Sequence, residues 1–168
     1  MTQMQKFLAS VAAIVVLMFA AASASKAADI VRHSNGTNFP IARMVEVPAG
    51  KTIYFHSGMT PAPLDAKAKP GTPEYWGDTK TQTLSVFGRI KESLDKQGLS
   101  FGDVVAMTVY LVGDPAKGGK MDFEGMMAAY TQFFGTKEQP NLPARSTVQV
   151  AGLVAPGMLV EIEVQLAK

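Results

Sequence analysis

The chain has 168 residues, 47% of them hydrophobic and 18% charged, which excludes a disordered chain and fits one globular domain. With no cysteine and only two histidines, His33 and His56, it has no disulfide scaffold, no thiol nucleophile, no Cys-ligated metal and no multi-histidine centre. Of the 16 basic residues Lys6 and Lys26 lie in the first 27, where no acid occurs; the remaining 14 meet 14 acidic residues, so the body carries no nucleic-acid footprint.

Residues 1–27 carry Lys6, an apolar run from Phe7 to Ala22 and a small-residue end, the pattern of a secretory signal. Cleavage after Ala24 or Ala27 is expected, leaving a single domain over 28–168. The run is shorter than the roughly 20 residues of a spanning helix, so no stable membrane insertion is expected after cleavage. The expected destination is outside the cytoplasm, in the periplasm or secreted.

In the body, Ala42–Val47 and Thr52–Ser57 around Pro48-Ala49-Gly50 read as a hairpin. Met59–Gly77, with four prolines, Tyr75 and Trp76, reads as a long loop, either a functional segment or a surface excursion pinned by its aromatics. Leu84, Phe87, Ile90 and Leu94 recur at helical spacing within Asp78–Gln97, and Gly98 is a stop. Val104–Val112 reads as a buried strand and Gly113–Lys120 as a turn-rich loop. A second helix spans Asp122–Phe134. The chain closes with two alternating strands, Ala144–Val150 and Leu159–Leu166, which read as antiparallel neighbours. Alternation places Arg145, Thr147 and Gln149 on one polar face with Glu161, Glu163 and Gln165. The ββαβαββ order predicts an α+β domain with a mixed sheet and both helices on one face.

Few motifs carry chemistry. Lys120 is followed by Met121, not Ser or Thr, so Gly113–Lys120 is not a phosphate loop. Ser57-Gly58 lacks the frame of a nucleophile elbow, and neither histidine sits in a partner motif. Arg145 presents a planar fork suited to a carboxylate, and a nearby carboxylate is able to position water. A cross-strand Arg145–Glu161 ion pair without a ligand is the plainer reading of the alternation.

Pro143-Ala-Arg-Ser-Thr-Val-Gln-Val-Ala-Gly-Leu153 and Val160-Glu-Ile-Glu163 closely resemble the C-terminal signature of the Rid family, the RidA/YjgF reactive intermediate deaminases also labelled L-PSP endoribonucleases. Ser57-Gly58, Gly102-Asp103-Val104 and Tyr130-x-x-Phe-Phe134 extend the resemblance over the body. It implies a chorismate-mutase-like fold and a homotrimer with ligand clefts between subunits. It also implies hydrolysis of 2-imino or enamine acids to 2-oxo acids and ammonia without metal or organic cofactor. Arg145 would hold the substrate carboxylate and Glu161 would align water. Gly58 and Thr147 would supply backbone contacts, and Ser57, Ile41 and Met127 would line the cleft. The family's usual tyrosine, cysteine and asparagine are Ile41, Thr147 and Met127 here, which implies a more apolar pocket and a different or bulkier substrate side chain. The rival expectation is a non-catalytic trimer binding a small carboxylate or a protein partner in the same clefts. Ribonuclease activity is disfavoured by the neutral body and the lack of an acid–base histidine pair.

Overall fold

A computed structural model describes residues 28–168; the leader expected over residues 1–27 lies outside the described residues. Six strands form one mixed sheet: β1 (Val31–Ser34), β2 (Ala42–Glu46), β3 (Ile53–Met59), β4 (Val104–Val112), β5 (Ala144–Val150) and β6 (Val160–Ala167). Their order across the sheet is β1-β2-β5-β4-β6-β3. A short helix, α1 (Pro73–Trp76), precedes two longer ones, α2 (Thr79–Asp95) and α3 (Phe123–Tyr130), which pack together on one face.

The helices begin and end where their residues dictate. Asp78 caps α2, its side chain accepting from Thr81 N, and Asp122 caps α3 through Gly125 N. Gly98, at φ 65°, ends α2 in a turn whose Leu99 N–H returns to Leu94 O at 3.0 Å. Val86, Phe87, Ile90 and Leu94 of α2 and Met126 and Tyr130 of α3 are buried on Met107, Val109 and Leu111 of β4 and Ile162, Val164 and Leu166 of β6. Phe101, Phe133 and Phe134 complete an aromatic cluster around Phe87.

The α+β class and one-sided helix layer match the sequence reading, but two pairings differ. The expected hairpin does not form. β2 lies antiparallel to β1 and meets β5 only at Ala42↔Ala144, whereas β3 is an edge strand antiparallel to β6. Nor are β5 and β6 neighbours, because β4 runs between them, parallel to β5 and antiparallel to β6. Alternation tells which side chains share a face but not which strand lies alongside. The nine residues between β5 and β6 are enough to step across one strand.

The long loop is a pinned excursion. Trp76 Nε1 donates to Pro156 O at 2.9 Å, and buried Gln82 donates to Gly77 O and Gly157 O while accepting from Leu159 N at 2.7 Å. These bonds tie the Met59–Gly77 segment to the β5–β6 turn.

Candidate functional site

Register decides which face each candidate occupies. Arg145 pairs with Met107, which pairs with Val164, and both are core residues under the helices. Glu161 pairs with Tyr110, which pairs with Val148 on the helix-free face. Paired residues share a face. Arg145 and Thr147 therefore point toward the helices and Glu161 points away from them, which corrects the expectation of one shared polar face. Two strand spacings and three residues of rise separate Arg145 from Glu161, about 14 Å between Cα atoms across opposite faces. None of the ion pairs among the described residues includes Arg145, so the cross-strand pair is absent.

Arg145 sits in an aromatic enclosure. Its guanidinium carbon lies 4.3 Å from the Tyr130 ring centre, 5.6 Å from that of Phe39 and 5.9 Å from that of Phe123. Nη2 donates to Met127 Sδ at 3.2 Å. Nη1 is buried with no hydrogen-bond partner, and so is Thr147 Oγ1, two residues along the same face. An unpaired buried donor costs about 1–3 kcal/mol, so two together mark a place made for something else. Burial lowers the Arg145 pKa from its ordinary value, and Tyr130 opposes that shift. Burial likewise pushes the Tyr130 phenol up to about 12, and its hydroxyl donates to Pro40 O at 2.8 Å. Ile41 follows Pro40 and lines a cleft of about 480 Å³ across β2, β5 and β4, which Arg145 borders together with Ala106, Thr108, Ala144 and Ser146 of the helix-free face.

The other candidates gather at the far side of the sheet. Ser57 and Gly58 occupy the irregular stretch of β3 between His56↔Val164 and Met59↔Ile162. A Cβ on Gly58 would collide with Glu161 Oε1, so the missing side chain makes room for that carboxylate. Ser57 lines a cleft of about 200 Å³ with His56 and Glu163. Tyr110 donates to Glu163 Oε1 at 2.8 Å, which raises the Tyr110 pKa.

The candidates thus fall into two separate groups, each a candidate half-site. One holds Arg145, Thr147, Met127 and Ile41; the other holds Glu161, Gly58 and Ser57. Phe39 and Phe123 were not singled out from the sequence as site residues. Phe123 reads as part of the apolar helix face, and Phe39 precedes a proline in a polar segment without periodicity. Among the described residues no three His, Asp or Glu side chains gather as a metal site would require.

The sequence profile of the family described as endoribonuclease L-PSP matches residues 37–167. A RutC family protein of Haemophilus influenzae is 34% identical over 84 residues, half of this chain; the match spans 60% of that relative. Escherichia coli K12 has a protein named "Putative reactive intermediate deaminase TdcF", 32% identical over 102 residues, 61% of this chain and 69% of that one. The crystal structure of E. coli TdcF with bound serine superposes with a TM-score of 0.54 and 28% identity, covering 79% of this chain and 91% of that one.

Proposed function

The chain belongs to the Rid (YjgF) family, and on that premise we propose that it hydrolyses 2-imino or enamine acids to 2-oxo acids and ammonia. The observation that carries this reading is the buried, unpaired Nη1 of Arg145 beside the unpaired Thr147 Oγ1. A substrate carboxylate would accept from both and supply the negative charge this half-buried guanidinium lacks.

Glu161 is too far from Arg145 within one chain to serve the same small substrate. We therefore assign the two half-sites to adjacent subunits of a homotrimer, with Glu161, Gly58 and Ser57 of one copy facing Arg145 of the next. The helix-free face supports such assembly, since it carries the exposed apolar side chains Phe55 and Val148. In the cleft, Glu161 would accept a proton from water as the oxygen adds to C2 of the imine. Returning that proton to the nitrogen gives the neutral carbinolamine. Its hydroxyl proton then passes through Glu161 to the amino nitrogen as the C–N bond breaks, so that ammonia leaves and the hydroxyl oxygen becomes the carbonyl of the 2-oxo acid. Fixing the carboxylate puts C2 beside the positioned water, which is where the rate advantage comes from.

A non-catalytic, carboxylate-binding trimer is the second reading. Met127 favours it, because its thioether occupies Nη2 and narrows the donor fork offered to a ligand. Imines generated in situ by an amino-acid oxidase, with semicarbazide as competing trap, separate the two. Faster 2-oxo acid release by the purified protein supports the deaminase. Carboxylate binding without acceleration on any imine establishes the binder. Export is part of the proposal, and a mature protein beginning near Ser25 or Ala28 is the result that supports it.

A further inference from the structure

One wall of the Arg145 enclosure has no part in holding a carboxylate. Phe39 and Phe123 stack with ring centres 6.3 Å apart and planes 13° apart. Phe123 begins α3 and packs on the core. Phe39 belongs to no helix or strand and is 41% exposed, yet its segment is held firmly. Asn35 Oδ1 accepts from Thr37 N at 2.8 Å and from Thr37 Oγ1 at 2.9 Å, and Thr37 Oγ1 accepts from Phe39 N at 3.1 Å. Asn35 Nδ2 donates to Phe39 O at 2.9 Å and to Ile41 O at 3.1 Å. Tyr130 fixes Pro40 O from the other side. An aromatic ring left half in water, but braced on both flanks beside an unpaired buried donor, is a preorganised contact surface for a ligand.

We propose that Phe39, stacked on Phe123, sets side-chain specificity at this site. It selects 2-imino and 2-oxo acids whose apolar side chains are at least as large as that of leucine over those of alanine or serine. The inference rests on Arg145 being the carboxylate anchor. With the carboxylate on Nη1, the substrate chain leaves C2 alongside the guanidinium, which is flanked by Tyr130, whose hydroxyl is already bonded to Pro40 O, and by Phe39 and Phe123. Met127 and Ile41 add apolar surface nearby. A methyl group leaves this wall wet, and a hydroxymethyl group brings a hydroxyl to a wall without a hydrogen-bonding atom. A methylene fully enclosed in an apolar pocket is worth about 10-fold or more in discrimination, and a ring left half in water delivers only part of that for each carbon it meets.

Titration calorimetry on the mature protein tests this with four stable 2-oxo acids: pyruvate, 3-hydroxypyruvate, 4-methyl-2-oxopentanoate and phenylpyruvate. Because these are products, the result does not depend on turnover. The two large acids should bind about 10-fold or more tighter than the two small ones. Phe39→Ala should erase most of that difference. Phe39→Leu should keep the preference for 4-methyl-2-oxopentanoate and lose that for phenylpyruvate. Equal affinities, tighter binding of the small acids, or an undiminished preference in Phe39→Ala would overturn the wall. If instead all four acids bind Arg145→Met as well as the unaltered protein, or none binds the unaltered protein, the anchor itself is wrong and the wall falls with it.

Discussion

Replacing Arg145 with methionine separates a residue kept for binding from one kept for folding. In the unliganded protein Nη1 has no partner, and relieving an unpaired buried donor is worth about 1–3 kcal/mol. Against this stands the cation–π contact with Tyr130 at 4.3 Å, whose loss costs about 0.5–2 kcal/mol. Methionine fills a similar length and keeps apolar contact with the aromatic enclosure. The two effects nearly cancel, so Arg145→Met should stay within about 4 °C of the original melting temperature, on the stabilised side. Breaking a buried structural ion pair would instead cost about 3–5 kcal/mol, a fall of roughly 10 °C or more for a chain of this size. Function should respond oppositely: losing charge-assisted bonds to a carboxylate lowers kcat/KM by about 100-fold. A saturating 2-oxo acid should raise the original protein's melting temperature by several degrees and leave the variant's unmoved. Circular dichroism melts at one protein concentration and the imine assay read both sides. A variant that melts 10 °C lower, or one that retains turnover within a few-fold, would refute the assignment.

Other residues test other parts of the structure. Gly58→Ala pushes its methyl into Glu161 Oε1; the backbone there needs no positive φ, so stability should fall by less than about 1 kcal/mol while kcat drops roughly 10-fold. Gln82→Leu strands two carbonyls and the Leu159 N–H, a cost of about 3 kcal/mol in urea unfolding, and should make the Met59–Gly77 segment sensitive to protease in the native state. Tyr130 holds its proton to about pH 12, above the unfolded value of about 10, so the folded state binds more protons between these limits. Its contribution is complete below pH 10 and is lost as pH rises toward 12, with a slope of up to about 1.4 kcal/mol per pH unit. Urea midpoints at pH 9 and pH 11.5 should therefore converge for the original protein and Tyr130→Phe, the variant being less stable at the lower pH.

The two long helices and three of their ends were legible because their signals are local, whereas α3 stops at Tyr130, four residues short of the expected Phe134, and α1 lies in the segment that reads as a loop. Asp78, Asp122 and Gly98 act within one turn of where they stand, and the apolar stripes on α2 and α3 need only the helical period. Strand partners were not legible, since Ala42–Glu46 carries the same alternation whether it pairs with β1 or β3. β1 itself, with Arg32 and His33 inside four residues, shows almost no strand signal. It is held by a tertiary contact, Arg32 donating to the carbonyls of Gly102, Val104 and Leu142. The instructive failure is β5. Polar Arg145, Thr147 and Gln149 suggest the solvent face, yet register turns them toward the helices and sends Val148 outward. A strand whose polarity runs out of phase with its neighbours breaks the rule for burying a sheet, and it breaks it where the unpaired donors sit. The family signature identified these residues, whereas alternation alone misassigned their face.

The separation of Arg145 from Glu161 leads to a test that no single substitution provides. If a working cleft takes Arg145 from one copy and Glu161 from the next, Arg145→Met and Glu161→Gln are each inactive as pure trimers. Denatured together in equal amounts and refolded, the two chains reassort. A cleft then works when its arginine side comes from a Glu161→Gln chain and its glutamate side from an Arg145→Met chain, which random assembly gives in about a quarter of clefts. Turnover should therefore rise from near zero to about a quarter of the original. It should do so only after reassortment, not on mixing the two folded trimers. A site contained within one chain gives no recovery at all, because every chain then lacks one of the two groups. Recovery would also show that α3, β5 and the Phe39 segment of one copy act with β3 and β6 of another. That is the arrangement we propose for a sheet that places Arg145 on one face and Glu161 on the other.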